Sequence, residues 1–170
     1  MSKIGIISDS HDNLPRIDQM LEILKKENIK IIIHCGDVCT QDSLKYLSQN
    51  FKGQIYLSIG NIDVDHEINK GVKNVQIFPQ FGEIKIPASP KRKRGEDNIN
   101  IAFVHFLGKA KKLAQTGKYD FVFYGHTHKP WEEEINSTKI INPGTLAGVW
   151  NRSTFAILDT KTKKVKLIIS

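Results

Sequence analysis

The chain has 170 residues, of which 39% are hydrophobic and 25% charged, and its formal net charge is +7. This length and balance predict one globular domain over residues 1–170 and exclude a disordered chain. The apolar runs are too short to cross a bilayer and the first residues lack the shape of a signal peptide, so we expect a cytoplasmic protein with no membrane partner. The excess of lysine and arginine favours anionic partners, including phosphorylated ligands and nucleic acid.

The first half of the chain alternates strand and helix. Strands are predicted over residues 3–8, 29–33 and 54–59. A helix with apolar residues at helical spacing from Leu14 to Leu24 separates the first two strands, and a helix capped by Thr40 and ended by Gly53 separates the last two. This βαβαβ order predicts a parallel sheet with right-handed crossovers.

The second half consists of short strand-like pieces around one helix, predicted from Lys109 to Gln115. The predicted strands cover residues 75–78, 81–86, 98–105, 120–124, 131–135, 137–141, 154–159 and 164–169. A strand-rich half joined to an α/β half predicts an α/β (α+β) fold with two packed mixed sheets and the helices outside them.

Two smaller features have ordinary structural explanations. The only cysteines, Cys35 and Cys39, are too few for a disulfide framework, and we favour buried reduced thiols over metal ligands. The basic run from Lys91 to Arg94 lies between two predicted strands and is typical of a solvated hairpin loop. A phosphate-binding patch is the alternative for this run, and nucleic-acid binding therefore stays open.

The stretch FVFYGHTHKP, residues 121–130, ends a predicted strand with two histidines separated by one residue. One explanation is that His126 and His128 merely belong to a loop. The other is that side chains at positions i and i+2 of an extended chain point the same way, so both imidazoles could bind one metal ion.

Similar polar residues come after the other predicted strands. They are Asp9 and His11 after the first strand, Asp37 after the second, Asn61 after the third, and His105 in the second half. Ligands of open parallel sheets bind at the carboxyl ends of the strands, so these residues should meet at one edge with His126 and His128. Seven such donors suit two ions of Mn²⁺, Fe, Ni²⁺ or Zn²⁺ that share a carboxylate, and they do not suit Ca²⁺.

These motifs resemble the signature of the calcineurin-like metallophosphoesterases. That signature is D-x-H, G-D, G-N, an isolated His and G-H-x-H, and here it reads Asp9-Ser10-His11, Gly36-Asp37, Gly60-Asn61, His105 and Gly125-His126-Thr127-His128. The length is similar to that of the small single-domain phosphodiesterases of bacteria and archaea. The resemblance implies their fold, an αββα sandwich.

The resemblance also implies a division of labour among the seven residues. One ion would bind to Asp9, His11 and His128, and the other to Asn61, His105 and His126. Asp37 would bridge the two divalent ions, for which Mn²⁺ is our first expectation and Ni²⁺, Fe²⁺ and Zn²⁺ are alternatives. A hydroxide bridging the ions would attack the phosphorus of a small-molecule or nucleotide phosphoester, with Asp37, Asn61 and His105 as catalytic residues.

The chain departs from the family pattern on the substrate side. Many relatives carry a histidine directly after the G-N pair, where it is thought to protonate the leaving group or bind substrate, and here that residue is Ile62. The small branch often continues its isolated histidine as H-G-H, whereas Phe106 and Leu107 come after His105. Both changes remove an imidazole and leave the predicted metal ligands intact.

Polar residues near these motifs have structural predictions of their own. We expect His34 to be a core histidine, and Asp63 and Asp65 to organise the loop after Asn61. A supporting role beside the site is open for Asn142.

Hydrolysis of phosphodiesters is the favoured activity, with phosphomonoesters as the alternative. A non-catalytic scaffold is a second alternative, because a eukaryotic retromer subunit of this fold acts mainly by binding proteins. That relative has lost part of the metal site, whereas all seven residues persist here. A metal-dependent amidohydrolase barrel also uses an H-x-H pair. Such a barrel needs about 250 residues, so the length of this chain excludes it. A homodimer stays open.

Overall fold

The structure is a computed structural model that describes residues 3–63, 72–87 and 98–170. The basic run from Lys91 to Arg94 lies outside the described residues, as does Asp65. The helices are α1 (Leu14–Lys26), α2 (Gln41–Asn50) and α3 (Leu107–Gln115). The strands are β1 (Lys3–Ile7), β2 (Ile31–His34), β3 (Gln54–Ser58), β4 (Val75–Phe78), β5 (Gly82–Pro87), β6 (Asn98–Phe103), β7 (Phe121–Phe123), β8 (Trp131–Ile135), β9 (Thr138–Asn142), β10 (Thr154–Asp159) and β11 (Lys164–Ile169).

The strands form two mixed sheets. The first sheet has the order β11-β10-β1-β2-β3-β4, in which β1 to β4 are parallel and β10 and β11 are antiparallel to their neighbours. The second has the order β5-β6-β7-β9-β8, with β6, β7 and β9 parallel. Each sheet therefore has a parallel centre, and the carboxyl ends of its central strands share one edge.

Local signals fix where the helices begin. The Asn13 side chain accepts a hydrogen bond of 3.2 Å from Arg16 N at the start of α1, whose first turn contains Pro15. The Thr40 hydroxyl caps α2 by accepting from Ser43 N at 3.3 Å, as predicted. Helix α3 begins at Leu107, two residues before the predicted start, and it has no side-chain cap.

The core lies between the two sheets and on their outer faces. Alternate residues of the strands, such as Ile33 on the first sheet and Phe103 on the second, point inward and pack into one buried cluster. The intervening residues point outward, where Ile32 packs against α1 and α2 and Val122 packs against α3. The four layers are thus helices, sheet, sheet and helix, which confirms the predicted αββα sandwich.

Strand positions agree with the predicted ones to within two residues at each end. Within the described ranges, every helix is too short or too polar to cross a membrane. The assignment of residues 1–170 to a single domain stays a prediction.

Candidate metal centre

The seven predicted ligands meet at the edge where both sheets present the carboxyl ends of parallel strands. From the first sheet come the residues after β1, β2 and β3, namely Asp9, His11, Asp37 and Asn61. From the second come the residues after β6 and β7, namely His105, His126 and His128. Residues from five separate segments of the chain are therefore brought together at the carboxyl ends of the strands, where ligands of open parallel sheets bind.

The first group of donors contains Asp9, His11, Asp37 and His128. One donor atom from each lies within 4.8 Å of all the others. His128 Nε2 lies 3.1 Å from His11 Nε2 and 3.2 Å from Asp9 Oδ1. The Asp9 and Asp37 carboxylates are buried and His11 is half-buried, so one ion at this position would be largely enclosed.

The second group contains Asp37, His105 and His126, whose donor atoms also lie within 4.8 Å of one another. His105 Nε2 lies 3.4 Å from Asp37 Oδ2 and 2.9 Å from Asn61 Oδ1, so Asn61 adds a fourth donor. His126 and Asn61 are exposed, whereas His105 is buried. This group is therefore open to solvent on one side.

The backbone at the site is unusual. Five of the seven residues have positive φ angles, which are 53° at Asp9, 43° at His11, 60° at Asp37, 68° at His126 and 57° at His128. Aspartate and histidine tolerate this region better than most residues, but each instance costs free energy of about 1 to 3 kcal/mol. Such clustering of strained backbone is typical of a functional site.

The glycines that precede three of these residues do not all serve the same purpose. Gly36 has a φ of 97°, a conformation that favours glycine. Gly60 and Gly125 have no positive φ. At these two positions a Cβ atom would collide with the Asp37 carboxylate and with the Ser8 hydroxyl, respectively. Glycine is needed there because another part of the site approaches the backbone closely.

Backbone carbonyls orient two of the imidazoles. His105 Nδ1 lies 2.8 Å from the Cys35 carbonyl oxygen, and His128 Nδ1 lies 3.3 Å from that of Val149. Each Nδ1 therefore carries the proton and donates it to a carbonyl, which directs Nε2 toward the neighbouring carboxylate. Metal-binding histidines are usually held in this way. The donor set thus fits cations.

The pKa directions agree with a site built for positive charge. Burial raises the pKa of Asp9, although the Ser8 hydroxyl and the nearby histidines oppose the shift. Burial also acts to raise the pKa of Asp37, but its hydrogen bond to His105 prevails and lowers it. Burial acts to lower the pKa of His105, whereas the same Asp37 carboxylate raises it. The Asp37 carboxylate and the His105 imidazole therefore each favour the charged form of the other.

Asp63 organises the loops around the site, as predicted. Its carboxylate accepts hydrogen bonds from the backbone N–H groups of Asp37 at 3.0 Å, Cys39 at 2.9 Å and Gly60 at 2.7 Å. Because these groups come after β2 and β3, one buried side chain fixes the ends of two adjacent strands.

Asn142 supports the loop that carries His126 and His128. Its side-chain amide donates to the Gly125 carbonyl at 2.9 Å and to the Thr127 hydroxyl at 3.0 Å. Its side-chain oxygen accepts from Gly144 N at 2.8 Å. Asn142 therefore acts on the site through the loop backbone.

His34 is a satisfied core histidine. Its Nδ1 accepts from Gly36 N at 3.2 Å, so its Nε2–H faces the Ser10 hydroxyl at 3.0 Å. Burial lowers the pKa of His34 to about 4. The ring is thus neutral, and it links the segment after β1, through Ser10, to the segment after β2, through Gly36.

The two cysteines are free thiols. Cys35 is buried as predicted, but Cys39 is only partly buried, and its Sγ lies 3.6 Å from His11 Nδ1. Burial, with help from Asp12, raises the pKa of Cys39 to about 12, so the thiol stays protonated. Cys39 lies beside the predicted ligands and belongs to neither group of donors.

The site has an apolar rim. Ile62 is 43% exposed, and its backbone N–H donates to Asp37 Oδ1 at 3.2 Å. The Phe106 ring lies 5.0 Å from the His105 ring and 4.9 Å from the His126 ring, measured between centroids. Sequence reasoning missed the third member, Trp150, whose ring lies 4.9 Å from that of His128. No spacing pattern links Trp150 to the motifs.

An αββα sandwich with clustered carboxylates and imidazoles at its strand ends defines a metal-dependent phosphoesterase. A family model described as the calcineurin-like phosphoesterase superfamily domain matches residues 2–163. The chain belongs to this superfamily.

Individual relatives agree with this assignment. The chain is 33% identical to phosphodiesterase MJ0936 of Methanocaldococcus jannaschii over 98% of both chains. A solved structure of an archaeal phosphodiesterase superimposes with a TM-score of 0.81 at 31% identity, covering 99% of each chain. Vps29 of Chaetomium thermophilum, at 13% identity, has a TM-score of 0.70 over 100% of this chain and 96% of its own, and it shows the shared fold alone.

Proposed function

We propose that this chain is a phosphodiesterase that uses two divalent metal ions. The observation that carries the proposal is that Asp37 belongs to both groups of donors. A carboxylate shared between two sets of histidines suits two neighbouring ions. The similar phosphodiesterases support the choice of phosphodiesters as substrates.

The seven residues would hold the two ions and leave one side of the site open to substrate. Asp9, His11 and His128 would hold one ion, and Asn61, His105 and His126 the other. When bound, such ions polarise water and stabilise negative charge on phosphoryl oxygens. The exposure of Asn61 and His126 leaves the second group accessible to a phosphoester from solvent. The net charge of +7 favours the approach of an anion.

The test begins with protein stripped of metal by a chelator. Each of Mn²⁺, Ni²⁺, Fe²⁺ and Zn²⁺ is then added, and hydrolysis of bis(p-nitrophenyl) phosphate is followed with the bound metal counted by elemental analysis. We expect two ions per chain, and Mn²⁺ is our expected best activator. Asp37→Asn should lower kcat/KM by about 10²- to 10³-fold, because one of the main charged groups at the reacting centre is lost.

Asp42→Asn is the matched control, because that carboxylate is 95% exposed and lies on α2. Full activity of Asp37→Asn would overturn the proposal. Absence of bound metal from the supplemented wild type would instead favour the scaffold alternative. A panel of aryl diesters, monoesters and cyclic nucleotides decides between phosphodiesters and phosphomonoesters. Nucleic-acid binding and a homodimer stay open, and a cytoplasmic location stays a prediction.

A further inference from the structure

Trp150 is the most exposed large hydrophobic side chain in the described part of the chain, with 86% of its surface accessible. It lies in the loop between β9 and β10, where Val149 is also 36% exposed. Single exposed apolar residues are common on protein surfaces. The position of Trp150 distinguishes it from these, because its indole lies beside the candidate metal centre.

The contact is made with a predicted ligand. The ring centroids of Trp150 and His128 are 4.9 Å apart and the ring planes are inclined by 34°. The imidazole lies against the indole, and most of the Trp150 surface stays open to solvent beside the site. A planar group bound next to the metal centre could therefore reach the indole.

Hydrogen bonds tie the loop that carries Trp150 to the site. Trp150 has a φ of 60°, which is rare for a bulky residue and persists only where the surroundings impose it. Before Trp150, Ala147 N donates to the Asp9 carbonyl at 3.1 Å, and Asn13 Nδ2 donates to the Ala147 carbonyl at 3.0 Å. After it, the Ser153 hydroxyl donates to the Leu146 carbonyl at 2.6 Å. The indole is thus presented from a loop tied to a predicted metal ligand.

The opposite end of the site is also apolar. Phe106 packs on His126, and Ile62 is exposed next to the Asp37 carboxylate. Neither side chain can form a hydrogen bond, so polar recognition of the ester substituent is reduced on that side. The apolar rim formed by Ile62, Phe106 and Trp150 therefore favours substrates whose substituents are flat and apolar.

We infer that Trp150 is a stacking platform for a planar aromatic substituent of the phosphoester, such as an aryl group or a nucleobase. The inference rests on the proposed function, because the metal centre would hold the phosphoryl group while the indole holds the ring. Stacking of a base on an aromatic side chain changes affinity by about 5- to 100-fold. Trp150 would then select substrates by their substituent and leave phosphate binding unchanged.

Phenylphosphonate and methylphosphonate test the inference as competitive inhibitors of bis(p-nitrophenyl) phosphate hydrolysis. They share the phosphonate and differ only in a planar or an alkyl substituent. In Trp150→Ala we expect the Ki of phenylphosphonate to rise about 5- to 100-fold and that of methylphosphonate to change less than about twofold. Trp150→Phe should restore most of the preference. Equal increases for both inhibitors, or no change for either, would overturn the inference.

A direct binding measurement separates the inference from the proposed function. The sequence has two tryptophans, so Trp131→Phe leaves Trp150 as the single fluorophore of that kind. In this variant loaded with Zn²⁺, phenylphosphonate should quench the fluorescence and methylphosphonate should not. Quenching by both, or by neither, would refute the platform. Selective quenching by a protein that hydrolyses no phosphoester with any of Mn²⁺, Ni²⁺, Fe²⁺ and Zn²⁺ would refute the proposed function and support the platform.

Discussion

The backbone N–H of Asp37 donates a hydrogen bond of 3.0 Å to the carboxylate of Asp63, which is 8% exposed. Through the same carboxylate, Asp37 is tied to Gly60, the residue before Asn61. The carboxylate shared by the two groups of donors and the amide of the second group are therefore positioned by one side chain that belongs to neither group.

Asp63→Asn should loosen this arrangement while keeping the size of the side chain. One of the two terminal oxygens becomes an NH₂ group, which must face a backbone N–H donor. We expect metal affinity to fall by about 10- to 100-fold. The free energy of unfolding should fall by about 1 to 3 kcal/mol. Calorimetric titration with Zn²⁺ and urea denaturation measure the two effects. The exposed Asp42→Asn serves as control, and equal behaviour of the two variants would contradict the assigned role.

The two groups of donors predict a specific pattern of metal loss in double variants. His105 and His126 lie in the second group, so His105→Ala with His126→Ala should retain about one ion per chain. His126 and His128 lie in different groups, so replacing both should remove both ions. Elemental analysis after dialysis against limiting Zn²⁺ counts the ions. If both double variants retain the same number of ions, the division between the groups is wrong.

The positions of the strands along the chain and the meeting of the polar residues at one edge could be predicted from the sequence because general rules relate both to short stretches of chain. Apolar alternation marks the strands, and parallel strands place the residues after their carboxyl ends at one edge of the sheet. The role of Asp63 in the loop after Asn61 was also predicted, and its hydrogen bond to Gly60 N is local, whereas its bonds to Asp37 and Cys39 were not predicted. These predictions depend on short stretches of chain.

Features that depend on contacts between distant segments were not predictable. The reason for Gly125 is its proximity to Ser8, which lies more than a hundred residues away in the chain. The carbonyl that orients His128 belongs to Val149, and the indole of Trp150 reaches the site only because its loop is tied to the segment after β1. No motif or periodicity records such contacts.

His34 makes the stability of the metal-free protein depend on pH. Burial lowers the pKa of its imidazole from 6.5 to about 4 in the folded protein. The unfolded chain therefore binds a proton below pH 6.5 that the folded chain does not bind until about pH 4. Stability is fully present above pH 6.5 and is lost as the pH falls toward 4, by about 3 kcal/mol from this group.

Urea denaturation of wild type and His34→Gln at several pH values between about 7 and 4, with a chelator present, isolates this contribution. Glutamine does not titrate, so the difference between the two curves should shrink by about 3 kcal/mol as the pH falls. The contributions of groups that titrate equally in both proteins cancel in the difference between their free energies of unfolding. Curves that stay parallel would show that His34 carries its proton in the folded protein at acidic pH.

Ile62 should limit the hydrolysis of esters with poor leaving groups. Its side chain is 43% exposed beside Asp37, where many relatives have a histidine, and an alkyl group cannot donate a proton to a departing oxygen. We expect Ile62→His to raise kcat for diphenyl phosphate by about 10- to 100-fold, whereas bis(p-nitrophenyl) phosphate, whose leaving group needs no proton, should gain less than about threefold.

The pH profile separates proton donation from other effects of Ile62→His. Donation requires the imidazolium, so the gain should be largest below about pH 6.5 and should decline above it as the ring loses its proton. Ile62→Asn is the matched control, because it adds polarity and hydrogen bonding without a group that titrates in this range. An equal gain from asparagine, or an equal gain for both substrates, would show that Ile62 limits substrate binding, and the missing imidazole would then have no part in leaving-group departure.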